Sequence, residues 1–369
     1  MHVLITADTL GGVWVYAREL VSGLARRGVR VTLVSFGEIP GREQTAWLDD
    51  LPAVDFHPTG FRLEWMQDSE GDLEASAEYL CELVRQVNPE LLHLNQYCYG
   101  SLPVAVPRLV VAHSDVLSWW VAVHGEPPQD DAWIRWYRQT VTRGLSGASA
   151  VVAPSCWMLE QLAEHYVRPE PGMVIYNGRS PAEFNPHLEK EDFMVSVGRL
   201  WDGGKQVKLL TECEMPLPAV IVGSDVHPDE TFRSAAPVRP NAKRVQFTGP
   251  RPPEEVSRLF SRASIYAATS RYEPFGLAPV EAALSRCALA ANDIPTFHEL
   301  WGDAACFFRR NDAGSLAATV KQLHSDPKLR RRHADRVYER ALQRFTAERM
   351  VDDYLALYGA LTSAGVAAA

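Results

Sequence analysis

The chain opens with a pattern that few folds accommodate. Residues 2–7, HVLITA, are a short apolar run; DTLGG follows, then an amphipathic stretch from about Val13 to Arg27, then a second apolar run, VRVTLVSF. Strand, glycine-bearing turn, helix and strand in that order begin a doubly wound sheet. The turn lacks G-x-G-x-x-G, so the dinucleotide fingerprint is absent. Gly11 and Gly12 stand at the head of the first helix, where glycine suits a tight turn or a close approach to a ligand.

The first half continues in the same alternation. Residues 49–71 read as irregular, with a short strand near Val54–His57, and Glu70 to Val87 as a helix. Leu91 to Asn95 is a strand ending in Gln96 and Tyr97; Leu109 to Ala112 is another, ending in His113, Ser114 and Asp115. Open α/β sheets bind ligands at the carboxyl ends of their strands, so His113 is a candidate ligand residue, against the alternative of a structural histidine. Trp119, Trp120, His124, Trp133, Trp136 and Tyr137, interleaved with Arg135, Arg138 and Arg143, suit an acceptor groove, an interfacial patch or a half-buried helix. A strand at Val151–Ala153, a helix to Tyr166 and a strand from Met173 to Tyr176 complete the first sheet.

A second sheet starts at Phe193–Val197 and leads into Gly198, Arg199, Leu200 and, after Gly203-Gly204, Lys205. Arg199 and Lys205 would suit a bound phosphate group, since fixed cations in a dry cleft stabilise negative charge; the plainer alternative is solvated surface charges. Further strands are expected at Ala219–Gly223 and Arg244–Gly249, the latter running into Thr248, Gly249, Pro250 and Arg251. The apolar run Ala263–Ala268 then meets RYEPFGLAPVEAAL, residues 271–284. Pro274 keeps Glu273 extended, and a helix is expected from near Phe275, with Pro279 tolerated in its first turn. The amides around Phe275, Gly276, Leu277 and Ala278 would form an anion site, bracketed by Glu273 and Glu281. Carboxylates beside such a site suit a ligand that is both phosphate and polyol; the plainer alternative is a surface and a helix-capping glutamate. Residues 312–343 read as helical, Phe345–Leu361 as a last amphipathic helix, and the tail from Ser363 as frayed.

Composition narrows the partners. With 369 residues, 46% apolar and 22% charged, the chain suits two domains of ordinary size. Residues 1–180 hold 13 Arg, no Lys and 22 acids, which accounts for the whole net charge of −9. Nucleic acid is disfavoured as a partner, and membrane contact is expected to be peripheral at most. No leader and no transmembrane segment is evident, and the six cysteines have no paired spacing; a cytoplasmic place, at most peripheral at the inner membrane face, is expected.

E-P-F-G-L-x-x-x-E resembles the E-x7-E signature of retaining GT-B glycosyltransferases of the family-4 group. The hinge-like VIYNGRSPAEFNP is similar to that family's N-G-V-D segment at Asn177, Gly178, Phe184 and Pro186, but carries Arg179 and Ser180 where Val and Asp are usual. The resemblance implies a GT-B architecture: two Rossmann-like doubly wound domains facing a central cleft. The domains would be 1–178 for the acceptor and 179–345 for the donor, with 346–369 crossing back to the first. It implies retaining transfer of a hexose from a nucleotide-diphosphate sugar, UDP- or GDP-linked, to a hydroxyl of a carbohydrate, lipid-linked or small-molecule acceptor, with neither cofactor nor metal. Glu273 would meet the transferred sugar, His113 the sugar and the acceptor, Arg199 and Lys205 the phosphates, Glu281 the ribose, the Gly11-Gly12 turn the diphosphate and the acceptor, and the Gly249 loop the base. Arg286 and Ala288 replace the family's usual Gly and Pro, which implies local adjustment. A sugar-nucleotide epimerase of the same fold and a catalytically silent partner subunit remain alternatives. A phosphorylase would need a pyridoxal-binding lysine, for which lysines 190, 205, 208, 243, 321 and 328 show no context.

Overall fold

The computed structural model describes residues 1–226 and 244–368, and places them in two compact units. Lys243 lies outside the described residues. Unit 1 comprises Met1–Val121, Glu126–Gly178 and Ala347–Ala369; unit 2 comprises Ala122–Gly125 and Arg179–Thr346.

In unit 1 the elements run β1 (His2–Asp8), α1 (Gly12–Arg26), β2 (Arg30–Phe36), α2 (Arg42–Thr45), β3 (Val54–Pro58), α3 (Glu70–Val87), β4 (Leu91–Leu94) and β5 (Arg108–Val111). They continue through α4 (Val116–His124), whose last residues belong to unit 2, then α5 (Ala132–Gly147), β6 (Ala150–Ala153), α6 (Cys156–His165) and β7 (Gly172–Val174). All seven strands are parallel, in the order β3-β2-β1-β4-β5-β6-β7. Order reverses between β1 and β4, which opens a crevice at their carboxyl ends.

Side-chain alternation builds a core on each face of this sheet. Val3, Ile5 and Ala7 of β1 pack with α1, which buries Ala17, Leu20, Val21 and Leu24 at helical spacing. Leu4 faces the other way, among residues of α3, α5 and α6. Asp131 and Ser155 start α5 and α6 by accepting the amides of Ile134 and Met158 at 2.8 and 3.1 Å. The last helix, Ala347–Ala368, closes the first core with Met350, Val351, Tyr354 and Tyr358.

Unit 2 runs β8 (Glu191–Val197), β9 (Ala219–Val222), β10 (Val245–Phe247), α7 (Pro253–Arg262), β11 (Ala263–Ala268), α8 (Leu277–Leu284), β12 (Ala288–Asn292), α9 (Pro295–Trp301), β13 (Cys306–Phe308), α10 (Ala313–Ser325) and α11 (Pro327–Arg344). Its six parallel strands lie in the order β10-β9-β8-β11-β12-β13, with the reversal between β8 and β11. The chain ends in α12 (Ala347–Ala368).

Several boundaries differ from the expected ones. The helix after β11 begins at Leu277, not near Phe275, because Gly276 turns through φ 90° before it. Residues 312–343 are two helices: Asp326 closes α10, then accepts the amides of Lys328 and Leu329 at 3.1 and 3.0 Å to start α11 at Pro327. The terminal segment is helical through Ala368. Strand β7 stops at Val174.

Two devices hold α8 in place. Its C-terminus ends in a left-handed residue, Arg286 at φ 60°, with the Cys287 amide reaching back to the Ala282 carbonyl at 2.9 Å. Lys190 donates from Nζ to the carbonyls of Phe260 (3.1 Å), Ser261 (2.8 Å) and Ser285 (2.6 Å), joining the ends of α7 and α8. Burial pushes the Lys190 pKa down, and those carbonyls are what keep an ammonium tolerable there.

Candidate functional site

The unit 2 site forms where its strand order reverses. Glu273 follows β11, Lys205 follows β8, and Nζ of Lys205 lies 2.8 and 2.6 Å from the two carboxylate oxygens of Glu273. Ser270 Oγ donates to the same carboxylate at 2.8 Å. Glu273 is only 8% exposed. Its charge is therefore kept in a dry place by a cation and a hydroxyl together, which a buried carboxylate requires.

Backbone contacts fix the two loops to each other. The amides of Arg271 and Tyr272 donate to the Gly204 carbonyl at 2.8 and 3.3 Å, and Thr269 Oγ1 donates to the Lys205 carbonyl at 2.8 Å. Asn292, buried at the end of β12, donates from Nδ2 to the Ser270 carbonyl at 3.1 Å. Asp202 shapes the turn between β8 and Lys205: one oxygen accepts the Gly204 amide, the other the guanidinium of Arg199, both at 2.8 Å. Arg199 also lies over the Trp201 ring at 5.1 Å and is half-exposed. Ser270, Asn292 and Asp202 were not foreseen. Asp202, three residues after Arg199, was the legible one.

Gly276 precedes α8 with φ 90° and ψ 88°, and a Cβ there would stand 3.0 Å from Glu273 Cγ. Glycine thus satisfies both the left-handed turn and the tight contact behind the carboxylate. Leu277 and Ala278 are half-buried at the helix start. Phe275 turns its ring into the core against Phe345, centroids 5.4 Å apart, so its side chain is packing and not lining. Glu281 lies farther along α8, and its Oε1 accepts from Arg179 Nε at 2.8 Å.

The loop after β10 touches the loop after β9, which touches the loop after β8. The Gly223 amide donates to the Gly249 carbonyl at 3.1 Å, and a Cβ on Gly223 would fall 1.8 Å from the Gly198 carbonyl oxygen. No side chain fits there, which explains the glycine.

Unit 1 gathers its own polar residues at the carboxyl edge of its sheet. Gly11, at φ 90°, and Gly12 are exposed at the head of α1. His113 follows β5, and its Nε2 sits 2.8 Å from Asn95 Oδ1. Asn95 Nδ2 donates to the Thr6 carbonyl at 2.6 Å, so Oδ1 can only accept and His113 carries its proton on Nε2. Burial pushes the His113 pKa down to about 3, so the ring is neutral at pH 7 and presents Nδ1 as an acceptor. Tyr16 packs edge-on against it at 4.6 Å. Gln96, which ends the same strand region as Asn95, is 4% exposed and leaves Nε2 and Oε1 without a hydrogen-bond partner among the described residues.

Among the described residues no group of three or more His, Cys, Asp or Glu is placed to hold a metal, and no helix is long and apolar enough to cross a membrane.

Comparison with known proteins bears on both units. Residues 11–178 match the family model described as glycosyl transferase 4-like domain, and residues 181–340 the model described as glycosyl transferases group 1. The O-antigen chain mannosyltransferase RfbU of Salmonella typhimurium is 23% identical over 211 residues, covering 52% of this chain and 56% of that protein. The chain thus spans about half the length of that curated relative. The structure of sucrose-phosphate synthase from Thermosynechococcus elongatus superposes with a TM-score of 0.81 at 19% identity, covering 99% of this chain and 100% of that one. Anabaena HepE, solved with UDP-glucose, gives a TM-score of 0.73 at 17% identity, covering 98% and 100%.

Proposed function

The chain belongs to the glycosyltransferases of the GT-B fold, and from that premise we propose that it is a retaining hexosyltransferase. It takes a UDP- or GDP-linked sugar as donor and a hydroxyl of a glycan, glycolipid or small molecule as acceptor. The observation that carries this reading is the Lys205–Glu273 pair beside the Gly276 turn at the sheet's reversal point.

Each group then has a chemical task. Amides at the start of α8, with Lys205 and Arg199, hold the diphosphate and offset the charge it gains as the bond to the sugar breaks. Glu273 lies against the sugar, where its charge favours an oxocarbenium-like carbon. Glu281 accepts from ribose hydroxyls. The acceptor oxygen bonds to the anomeric carbon on the face the diphosphate leaves, and its proton passes to the departing phosphate oxygen, which retains configuration. His113, neutral with Nδ1 open, is assigned to a hydroxyl of the sugar or the acceptor, and the Gly11-Gly12 turn to the diphosphate. In support, HepE was solved with UDP-glucose and the curated relative is a mannosyltransferase of O-antigen chains. An acceptor hydroxyl on a lipid-linked glycan suits that likeness.

A thermal-shift screen of UDP, GDP, ADP and dTDP, followed by the sugar conjugates of the hit, tests the donor. A tight binder raises the melting temperature and the others do not. Transfer is expected to persist in EDTA and to yield the donor's anomeric configuration. Loss in EDTA with recovery in magnesium or manganese, or an inverted product, would overturn the mechanism.

A further inference from the structure

Arg179 stands where the resemblance leads one to expect valine, yet it is among the best-anchored side chains of unit 2. It is 4% exposed. Its amide donates to the Phe345 carbonyl at 3.0 Å, which fixes the backbone. Nε donates to Glu281 Oε1 at 2.8 Å, and a terminal nitrogen donates to Glu183 Oε2 at 2.9 Å. The guanidinium lies over Phe184, 5.4 Å from the ring centroid.

A planar fork held by backbone, a ring and a second carboxylate has little freedom to follow its partner. It imposes a position on Glu281. We propose that Arg179 is a positioning residue for the donor nucleoside. By fixing Oε1 it aims the rest of the Glu281 carboxylate at the ribose hydroxyls, and by neutralising Glu281 it lets an anion and a diphosphate occupy neighbouring places along α8. The partner chemistry is therefore a ribonucleoside diphosphate, read at the ribose. The inference rests on the assignment of Glu281 to the ribose made above.

The lost contact is a charge-assisted hydrogen bond, so Arg179→Met should weaken UDP or GDP binding by roughly tenfold or more, measured by calorimetry. Turnover at saturating donor should stay within about twofold, since the contact is shared by ground and transition states. Arg179→Lys should recover only part of the loss, because a point charge cannot reproduce the fork. Glu183→Gln, which loosens one anchor of the fork and leaves the Arg179–Glu281 contact in place, should weaken binding by less than Arg179→Met does. Two readouts separate positioning from mere folding. The loss should be smaller for the 2′-deoxy nucleotide than for the ribonucleotide. The Arg179→Met change should also add little once Glu281→Gln is present.

Equal losses for ribo and deoxy forms, additive effects in the double variant, or unchanged affinity in Arg179→Met each overturn the proposal. If Glu281→Gln itself leaves nucleotide affinity intact, the underlying site assignment fails instead. Should Arg179→Met not fold, Arg179→Lys carries the same comparison, and full affinity in it refutes the proposal.

Discussion

Lys205 and Glu273 form a bidentate pair across 68 residues of sequence, both oxygens of the carboxylate within 2.8 Å of one ammonium. In the proposed complex the diphosphate would share Lys205 with Glu273, and Glu273 cannot be altered without changing what Lys205 faces.

The first expectation follows from that coupling. Lys205→Ala and Arg199→Ala should each lower turnover by roughly 10²–10³-fold, the scale for losing one preorganised charge stabiliser. The Lys205→Ala/Glu273→Gln double variant should fall short of the product of the single losses, because each removal already disables the partner. Steady-state kinetics on the four proteins decide it, and strict multiplicativity would mean the pair does not act as a unit. Near-normal turnover in Arg199→Ala would mean the phosphates lie elsewhere.

Glu273 and Glu281 should fail differently. Glu281→Gln is expected to raise the donor Michaelis constant with turnover largely kept, since ribose contacts change little as the sugar moves. Glu273→Gln retains shape and Ser270 while losing charge next to the breaking bond, so turnover should drop with nucleotide affinity roughly held. The reverse pattern, from kinetics and calorimetry on both variants, would exchange their roles.

Stability should decline in mild acid through His93, which is fully buried between the hydroxyls of Tyr16 (3.1 Å) and Tyr358 (2.6 Å), with Tyr354 and His113 also facing it. Burial, aided by His113, holds its pKa down at about 3 against an ordinary 6.5. The sign follows: below about pH 6.5 the unfolded chain takes up a proton that the folded one refuses, so stability is present above that pH and is lost as pH falls. The slope is about 1.4 kcal/mol per pH unit. Urea unfolding of wild type and His93→Gln at pH 7 and pH 4.5 checks it. The variant, weaker at pH 7, should lose distinctly less on acidification, and parallel losses would exclude His93 as the source.

Arg286 occupies a left-handed conformation while pairing with Asp335 at 3.2 Å and lying over Tyr338 at 4.7 Å. Arg286→Ala should destabilise by losing both contacts and keeping the backbone strain. Arg286→Gly loses the same contacts but relieves the strain, so it should be more stable than the alanine variant by about 1 kcal/mol. Denaturant midpoints read the difference, and an alanine variant as stable as the glycine one would show that the conformation carries no cost there.

How much of this was legible depended on whether a feature is local. The opening strand, turn and helix, the strand before Arg271, and Glu273 with Glu281 are written in short stretches whose periodicity and turn residues suffice. The short motif around Phe275 does not tell that its ring serves the core against Phe345. The Asp326-Pro327 break is locally written as cap and first helical position, but the strongly helical composition on both sides masks it. What could not be read are partnerships across distance: Arg179 with Glu281, Asn292 with Ser270, Tyr358 with His93. Nothing near Arg179 distinguishes a buried fork from a solvated charge, and only the folded sheet brings α8 to it.

Lys190 gives α8 a property its sequence does not announce. A helix whose leading amides grip an anion is pulled along its own axis by that anion. Here the trailing end is moored: the Ser285 carbonyl is tied to an ammonium that also holds the end of α7. In the proposed complex this mooring resists displacement of the helix along its axis, so the anion's attraction would be kept in the contact itself. The proposed anion site would thus be braced from behind, by a residue at the far end of the helix.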